Sequence, residues 1–289
     1  MKRNEYQMNE HQIHTHISAS HRWFDLKLDE VWRYRDLILL FTRRSFKVSY
    51  KQTILGPLWL FINPFLTSLV YMILFGNIAG LSTDGIPQIL FYLSGTAIWN
   101  LFSTCLTSNA STFTGNAGLF GKIYFPRMTV PVSNMLSAIV RFGISMTVVI
   151  ALLIFYCLRG ELSPHWSCWP LLPVILIWIG LIGMECGIFI SSVTTKYRDL
   201  SVLVSFGVSL WMYGTPVVYP ISQLAPGPLR TLIMINPVSA PVELFRYAIL
   251  GNGMLIPAYL AGSAAFTIIM GIGAVIVFNR VERTFIDTV

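Results

Sequence analysis

Charge is what this 289-residue sequence has least of. Asp, Glu, Lys and Arg together make up 11%, against about a quarter in soluble domains. Hydrophobic residues reach 54% without counting glycine, and the mean hydropathy is +0.64. A water-soluble fold of this size needs far more charge to cover its surface. An ordinary cytosolic enzyme, a disordered chain and a disulfide-stapled secreted module are excluded. Period-two alternation is missing from the long apolar runs, which excludes a β-barrel. No internal repeat is visible, so an inverted-repeat secondary transporter gains no support. A secretory signal is not expected either, because the first 25 residues are polar and lack a short apolar core before a small-residue cleavage site.

What is present is a set of runs long enough to cross a bilayer. A hydrocarbon core of about 30 Å takes about 20 residues of helix. Six segments qualify: Pro57–Ala79, Ile86–Ser108, Pro131–Leu158, Pro170–Val193, Leu200–Tyr219 and Pro257–Phe278. The expected fold is all-α: a six-span membrane protein with an N-terminal amphipathic interface helix and short re-entrant helices between spans five and six. Its divisions are a polar tail (1–28), the interface helix (29–56) and a transmembrane domain (57–289).

The basic excess of +7 suggests nucleic acid only until it is placed along the chain. Ten of the 20 Lys and Arg precede residue 57, and two more fall in each of the 109–130 loop, the 194–199 loop and the tail. Those sixteen oppose three on the other side, Arg159, Arg230 and Arg246, with Arg141 inside a span. By the positive-inside rule both termini are cytoplasmic. The basic residues mark one membrane face, and no nucleic-acid partner is needed.

Asp29 to Thr53 has Val31, Tyr34, Ile38 and Phe41 at helical spacing, with Arg43, Arg44, Lys47 and Lys51 supplying charge. Such a helix lies in the membrane interface and reaches lipid phosphates. Two readings stay open: a topology anchor, or a cytoplasmic collar that receives an anionic lipid-linked substrate. Pro220 to Ile256 is long and apolar for an outer loop, and Val242, Leu244, Phe245, Ala248 and Ile249 can make one apolar face. Helices that dip back into the outer leaflet fit it.

Catalytic signatures are scarce. Gly115 to Lys122 imitates a phosphate loop, but Asn116 stands where its first glycine belongs and Ile123 replaces the magnesium-binding Ser or Thr. His11, His14, His16 and His21 lack acidic or cysteine companions at metal-binding spacing. Cys105, Cys157, Cys168 and Cys186 form no CxxC; Cys157 and Cys168 flank an outer loop and are either a bridge or small apolar filler. No catalytic residue and no metal site is expected, and no cofactor on this chain. Asp84, Glu161 and Asp199 are isolated, so a membrane transferase is disfavoured, and no filter motif supports an ion channel.

Charges inside spans are costly and usually find partners. Arg141 and Glu185 fall at similar depth in neighbouring antiparallel spans, so an Arg141–Glu185 pair is expected, structural in preference to transport. Aromatic residues form 13% of the chain. From composition they read as interface belts, although flat sugar faces also pack on such rings. Gly183 and Gly187 suit close helix packing.

Several segments together resemble the ABC-2 type permease family, specifically its polysaccharide-exporting subunits. Tyr50 to Trp59 (YKQTILGPLW) resembles the family's approach to span one, and Lys122, Ile123, Tyr124, Phe125, Pro126 and Arg127 (KIYFPR) its loop between spans two and three. Tyr197-Arg198-Asp199-Leu200, Leu210-Trp211-Met212, Pro216 to Pro220, Asn236-Pro237 and Glu243-Leu244-Phe245-Arg246 follow in the family's order. The resemblance implies a homodimer with two copies of a separate nucleotide-binding subunit, which binds the ATP and Mg. It implies export of an undecaprenyl-pyrophosphate-linked glycan, O-antigen first, across the bacterial inner membrane among membrane lipids. Capsule, teichoic acid, lipid or drug is the alternative cargo. Lys122 to Arg127 would couple to the ATPase, and Arg43, Arg44, Lys47 and Lys51 would frame the entrance. The substrate path would run over Tyr71, Tyr92, Trp99, Phe102, Trp211, Tyr213 and Tyr219. Glu243, Phe245 and Arg246 would belong to a periplasmic gate.

Overall fold

The computed structural model describes residues 28–51, 53–120, 122, 125–194 and 199–286. Among them the chain is helical, with no strand. The main helices are α1 (Arg35–Tyr50), α2 (Trp59–Tyr71), α3 (Gln88–Ala110), α4 (Thr129–Leu158), α5 (Leu172–Thr194), α6 (Leu200–Tyr213), α7 (Pro228–Ile235), α8 (Ser239–Leu250) and α9 (Pro257–Ile286). Five helical segments are long and apolar enough to cross a membrane: Gly56–Ile78, Gln88–Ala110, Thr129–Leu158, Trp166–Thr194 and Pro257–Val281. These correspond to five of the six expected spans.

The sixth differs. Leu200–Tyr219 was expected as one span, but α6 is 14 residues long, about 21 Å at 1.5 Å per residue. Pro216 has no N–H to continue the ladder, and the chain turns from Gly214. Side chains add to the backbone bonds that close this helix end: Thr215 Oγ1 donates to Trp211 O at 3.0 Å and Asn236 Nδ2 to Gly214 O at 2.9 Å.

Helix α3 is the hub. Every residue from Leu90 to Trp99 is buried, consistent with its being apolar all round. It packs most extensively on α5, then on α4. Glycines set the α3–α5 distance: a Cβ on Gly183 would lie 2.7 Å from Phe102 O, and one on Gly187 2.5 Å from Leu106 O. A hydrogen bond finishes the seam, with Thr194 Oγ1 donating to Ala110 O at 2.9 Å, while Asn134 Nδ2 of α4 donates to Asn109 Oδ1 of α3 at 3.2 Å.

By contrast, few residues of the first span, and few of α9, are fully buried within the single chain. Pro64 interrupts the ladder of α2, where Ser68 Oγ donates to Pro64 O at 2.7 Å and pairs with Thr96 Oγ1 at 3.1 Å. The span then widens into a π-helix, Met72–Ile78.

Helix α1 buries Ile38 and Thr42; Thr42 Oγ1 donates to Ile38 O at 2.8 Å and lies 3.4 Å from Ser133 O of α4. Its expected apolar face therefore covers protein. Trp32, Leu39, Leu40 and Val48 are exposed elsewhere on the Leu28–Tyr50 segment. Phe41 meets Phe125 at 5.7 Å, and Phe113 meets Phe278 at 5.1 Å, so α1, the loop after α3 and the end of α9 share one end of the bundle. Asp84, Ser222 and Asn252 meet at the opposite end.

Substituting Gly187 by alanine should force α3 and α5 apart, since overpacking costs about 1–3 kcal/mol. Gly207, with nothing within 4 Å of a Cβ, is the control. A lower melting temperature for detergent-purified Gly187→Ala, with Gly207→Ala unchanged, is the expected outcome. Equal melting of the two variants contradicts the seam.

Candidate functional site

At the end away from the termini, α8 is buried on nearly every side. Pro241 lies in its first turn, where its missing N–H interrupts no helical bond. One turn on, Arg246 pairs with Glu243, and both are buried. Arg246 Nη2 donates to Pro216 O at 2.6 Å and to Val217 O at 3.4 Å. Its guanidinium lies 4.3 Å from the centroid of the Phe91 ring, a cation–π contact strengthened by desolvation. The other Glu243 oxygen accepts from Met254 N at 2.8 Å. Burial pulls the Arg246 pKa down, while Glu243 and then Asp84 push it back up; guanidinium stays charged in proteins.

The knot therefore joins α8, the turn after α6, α3 and the strap before α9. Gly95 lets the turn approach, since a Cβ there would lie 2.6 Å from Val217 O. Asn236 adds a second tie: its Oδ1 accepts from Trp211 Nε1 at 3.2 Å, and its Nδ2 donates to Thr215 Oγ1 at 2.8 Å. Asp84 closes the rim, its carboxylate accepting from Ser222 at 2.5 Å and its backbone carbonyl from Asn252 Nδ2 at 2.8 Å. A cavity of about 170 Å³ lies between Asp84, Phe91, Glu243 and Arg246. Glu243, Phe245 and Arg246 were singled out from the sequence; the parts of Asp84, Phe91 and Gly95 were not.

At the termini end lies a different surface, a groove of about 400 Å³ in which Thr107, Ser111, Thr114, Thr194, Ser201 and Ser205 alternate with Ala110 and Val204. Several of its hydroxyl protons are committed to helix carbonyls: Thr107 donates to Ser103 O at 2.7 Å, Ser111 to Ser108 O at 3.1 Å and Ser205 to Ser201 O at 3.1 Å. Their oxygens are left as acceptors. Such oxygens can each accept one weak hydrogen bond from a hydroxyl or N–H donor. The three-and-four spacing of Ser103, Thr107, Ser111 and Thr114, matched by Ser201, Ser205 and Ser209, is the signal that sequence reasoning missed.

The seven aromatics expected along a path divide. Tyr92, Trp99 and Phe102 are 0%, 4% and 0% exposed, so they pack the interior of the chain and present no surface to a ligand. Trp99 touches Phe102 at 5.0 Å, and Phe102 touches Trp211 at 5.1 Å. Tyr71, Trp211 and Tyr219 are half-buried and Tyr213 is exposed, with Tyr219 Oη donating to Tyr213 O at 2.9 Å.

The expected Arg141–Glu185 pair does not form. Arg141 Nη2 donates to Ser49 Oγ of α1 at 2.8 Å, whereas Glu185 faces Gly271 of α9. Depth was matched but helical face was not: α4 turns this side toward α1, and α5 turns Glu185 toward α9. Cys157 and Cys168 are not bridged; both thiols are free.

Arg43, Arg44, Lys47 and Lys51 are all exposed on one side of α1 and its end. In the KIYFPR segment, Ile123 and Tyr124 lie outside the described residues. Lys122 is exposed, and Phe125 is buried against Phe41 and Phe120. The Arg127 guanidinium lies 5.3 Å from the Phe120 ring centroid. Phe41, Phe113, Phe120, Phe125 and Phe278 thus form one cluster joining α1, this loop and α9.

The ABC-2 type transporter family matches residues 36–250, which include the KIYFPR loop, the turn at Pro216 and the Glu243–Arg246 knot. The chain belongs to this family. It is 29% identical over 252 residues to an O-antigen export system permease protein of Klebsiella pneumoniae, covering 87% of this chain and 94% of that one. It is 26% identical over 263 residues to a protein of the same name from Myxococcus xanthus, covering 90% and 98%. It is also 24% identical over 229 residues to a polysialic acid transport protein of Escherichia coli, covering 78% and 86%. ABC-2 permeases are transmembrane subunits, and this chain is a multi-pass membrane protein with the apolar helices such a role requires.

Removing the Arg246 charge leaves Glu243 buried without a counter-ion, which costs about 3–5 kcal/mol. Arg246→Ala should therefore melt well below the wild type in detergent, and Arg246→Met with Glu243→Met should recover most of the loss. A double variant as unstable as the single one contradicts the ion-pair account.

Proposed function

We propose that this chain is the membrane subunit of an ATP-driven exporter that moves a lipid-linked polysaccharide, O-antigen first, across the bacterial inner membrane. Similarity to permeases named for O-antigen export, over 87–90% of the chain, carries this reading. The working unit is a homodimer with two copies of a separate ATPase that binds ATP and Mg, and both termini are cytoplasmic. The exposed face of the first span supports a second copy as its neighbour, since apolar helices left bare in one chain are covered by lipid or protein.

In this account the glycan chain slides along the hydroxyl groove and then over Tyr71, Trp211, Tyr213 and Tyr219. Acceptor oxygens and ring faces each hold a sugar weakly, so the polymer moves without being trapped; base stacking serves single-strand nucleic-acid channels in the same way. The segment 122–127 meets the ATPase, and its movement passes through the phenylalanine cluster to α1 and α9. Helices α7 and α8 form the periplasmic gate. The Arg246 knot makes α8 follow the turn after α6 as one body. A capsule-type glycan is the second reading, favoured by the similarity to the polysialic acid transporter at lower identity and coverage.

The test is complementation in a strain lacking its own O-antigen permease. The chain together with its partner ATPase should restore surface glycan, and either alone should not. Replacing Thr107 and Ser205 together by leucine should cut surface glycan severalfold at unchanged membrane level. Undiminished export from that variant sinks the groove as the path. No glycan at the surface with both subunits present and assembled sinks the function itself.

A further inference from the structure

Arg141 is a cation inside an apolar helix whose neighbours do not complete it. It lies twelve residues beyond Thr129 in α4, about 18 Å along the helix. A guanidinium carries five N–H donors. The structure gives Arg141 one bond, to Ser49 Oγ at 2.8 Å, and places its Cζ 6.0 Å from the Tyr50 ring centroid. Nε is closed off and unpartnered. Ser49 is itself spent, since its hydroxyl also donates to Ser45 O at 2.9 Å. Among the described residues Arg141 forms no ion pair.

No acid is within reach along the chain either. The sequence has no Asp or Glu between Asp36 and Asp84, and none within α4. The packed neighbour instead contributes Lys47 and Lys51, both exposed. An intramembrane arginine without a carboxylate is expensive, and a cationic helix beside it raises that cost. An anion that reaches this depth would answer the charge.

We propose that the terminal nitrogens of Arg141, held against the cationic helix α1 at Ser49 and Tyr50, bind the phosphate of a membrane lipid. Planar N–H pairs match phosphate oxygens two at a time, and lysines add point charge without that geometry. The phosphate comes from one of two sources: an anionic phospholipid, or the pyrophosphate of an isoprenoid-linked substrate. In the second case the site deepens the exporter reading and rests on it. In the first it stands without it, because binding is measured with no export.

Purified dimer or monomer, as it is isolated, is titrated with phosphatidylglycerol, with farnesyl pyrophosphate and with farnesol, and bound molecules are counted by native mass spectrometry. Wild type should retain the two phosphate-bearing probes and release farnesol. Arg141→Gln should weaken retention about tenfold, equivalent to ~1.4 kcal/mol, with Gly207→Ala unchanged. Arg141→Lys, which keeps the charge, should lose less, and it carries the comparison if the glutamine variant does not fold. Preference for the pyrophosphate over phosphatidylglycerol assigns the site to substrate, and equal retention assigns it to bulk lipid. Retention of both phosphates within twofold of wild type by the folded variants overturns the proposal.

Discussion

A charge buried where water does not reach has to be answered by fixed partners, and the half of the bundle away from the termini is arranged around one such charge. Arg246 takes a carboxylate from its own helix, two carbonyls from the turn after α6 and a ring face from α3. That single side chain takes up the carbonyls that the end of α6 leaves open. The turn offers its carbonyls only because Pro216 has broken the ladder, and it approaches α3 only because residue 95 has no side chain. Asn236 repeats the logic one step outward. The short helices are thereby held by directional bonds to their neighbours as well as by apolar contact.

The opposite end is organised by rings. Phe41, Phe113, Phe120, Phe125 and Phe278 come from three separated stretches of sequence and meet in one cluster. Apolar rings tolerate sliding and re-orientation better than a buried ion pair does, because dispersion is non-directional. The chain thus carries a rigid polar knot at one end and an adjustable ring cluster at the other.

How much of this could be read beforehand follows from what each signal encodes. Length and hydropathy report burial in lipid, so five spans, the glycine seam at Gly183 and Gly187 and the crowding of basic residues were legible. The end of α6 was not, because Val217, Val218 and Tyr219 are apolar enough to prolong a hydropathy run whatever their backbone does. The Arg141–Glu185 pair failed on azimuth: sequence spacing gives depth along a helix but not which neighbour each face meets. Tyr92, Trp99 and Phe102 were misplaced for a related reason, since such rings fit a channel wall and a helix-packed core equally well. The hydroxyl groove was overlooked because serine and threonine at helical spacing satisfy their own protons locally, leaving no unpaired group to draw attention.

The central claim is that a polyhydroxylated polymer passes along the acceptor-lined groove beside α3 and α6. A photo-activated cross-linking residue at Ser205 in the working exporter tests it most directly, with the exposed α9 position Ile269, away from the groove, as reference. The account predicts glycan-bearing adducts at Ser205 that appear only while ATP is hydrolysed, and none at Ile269. Adducts at Ile269 alone, or lipid without glycan at Ser205 during active export, would contradict it.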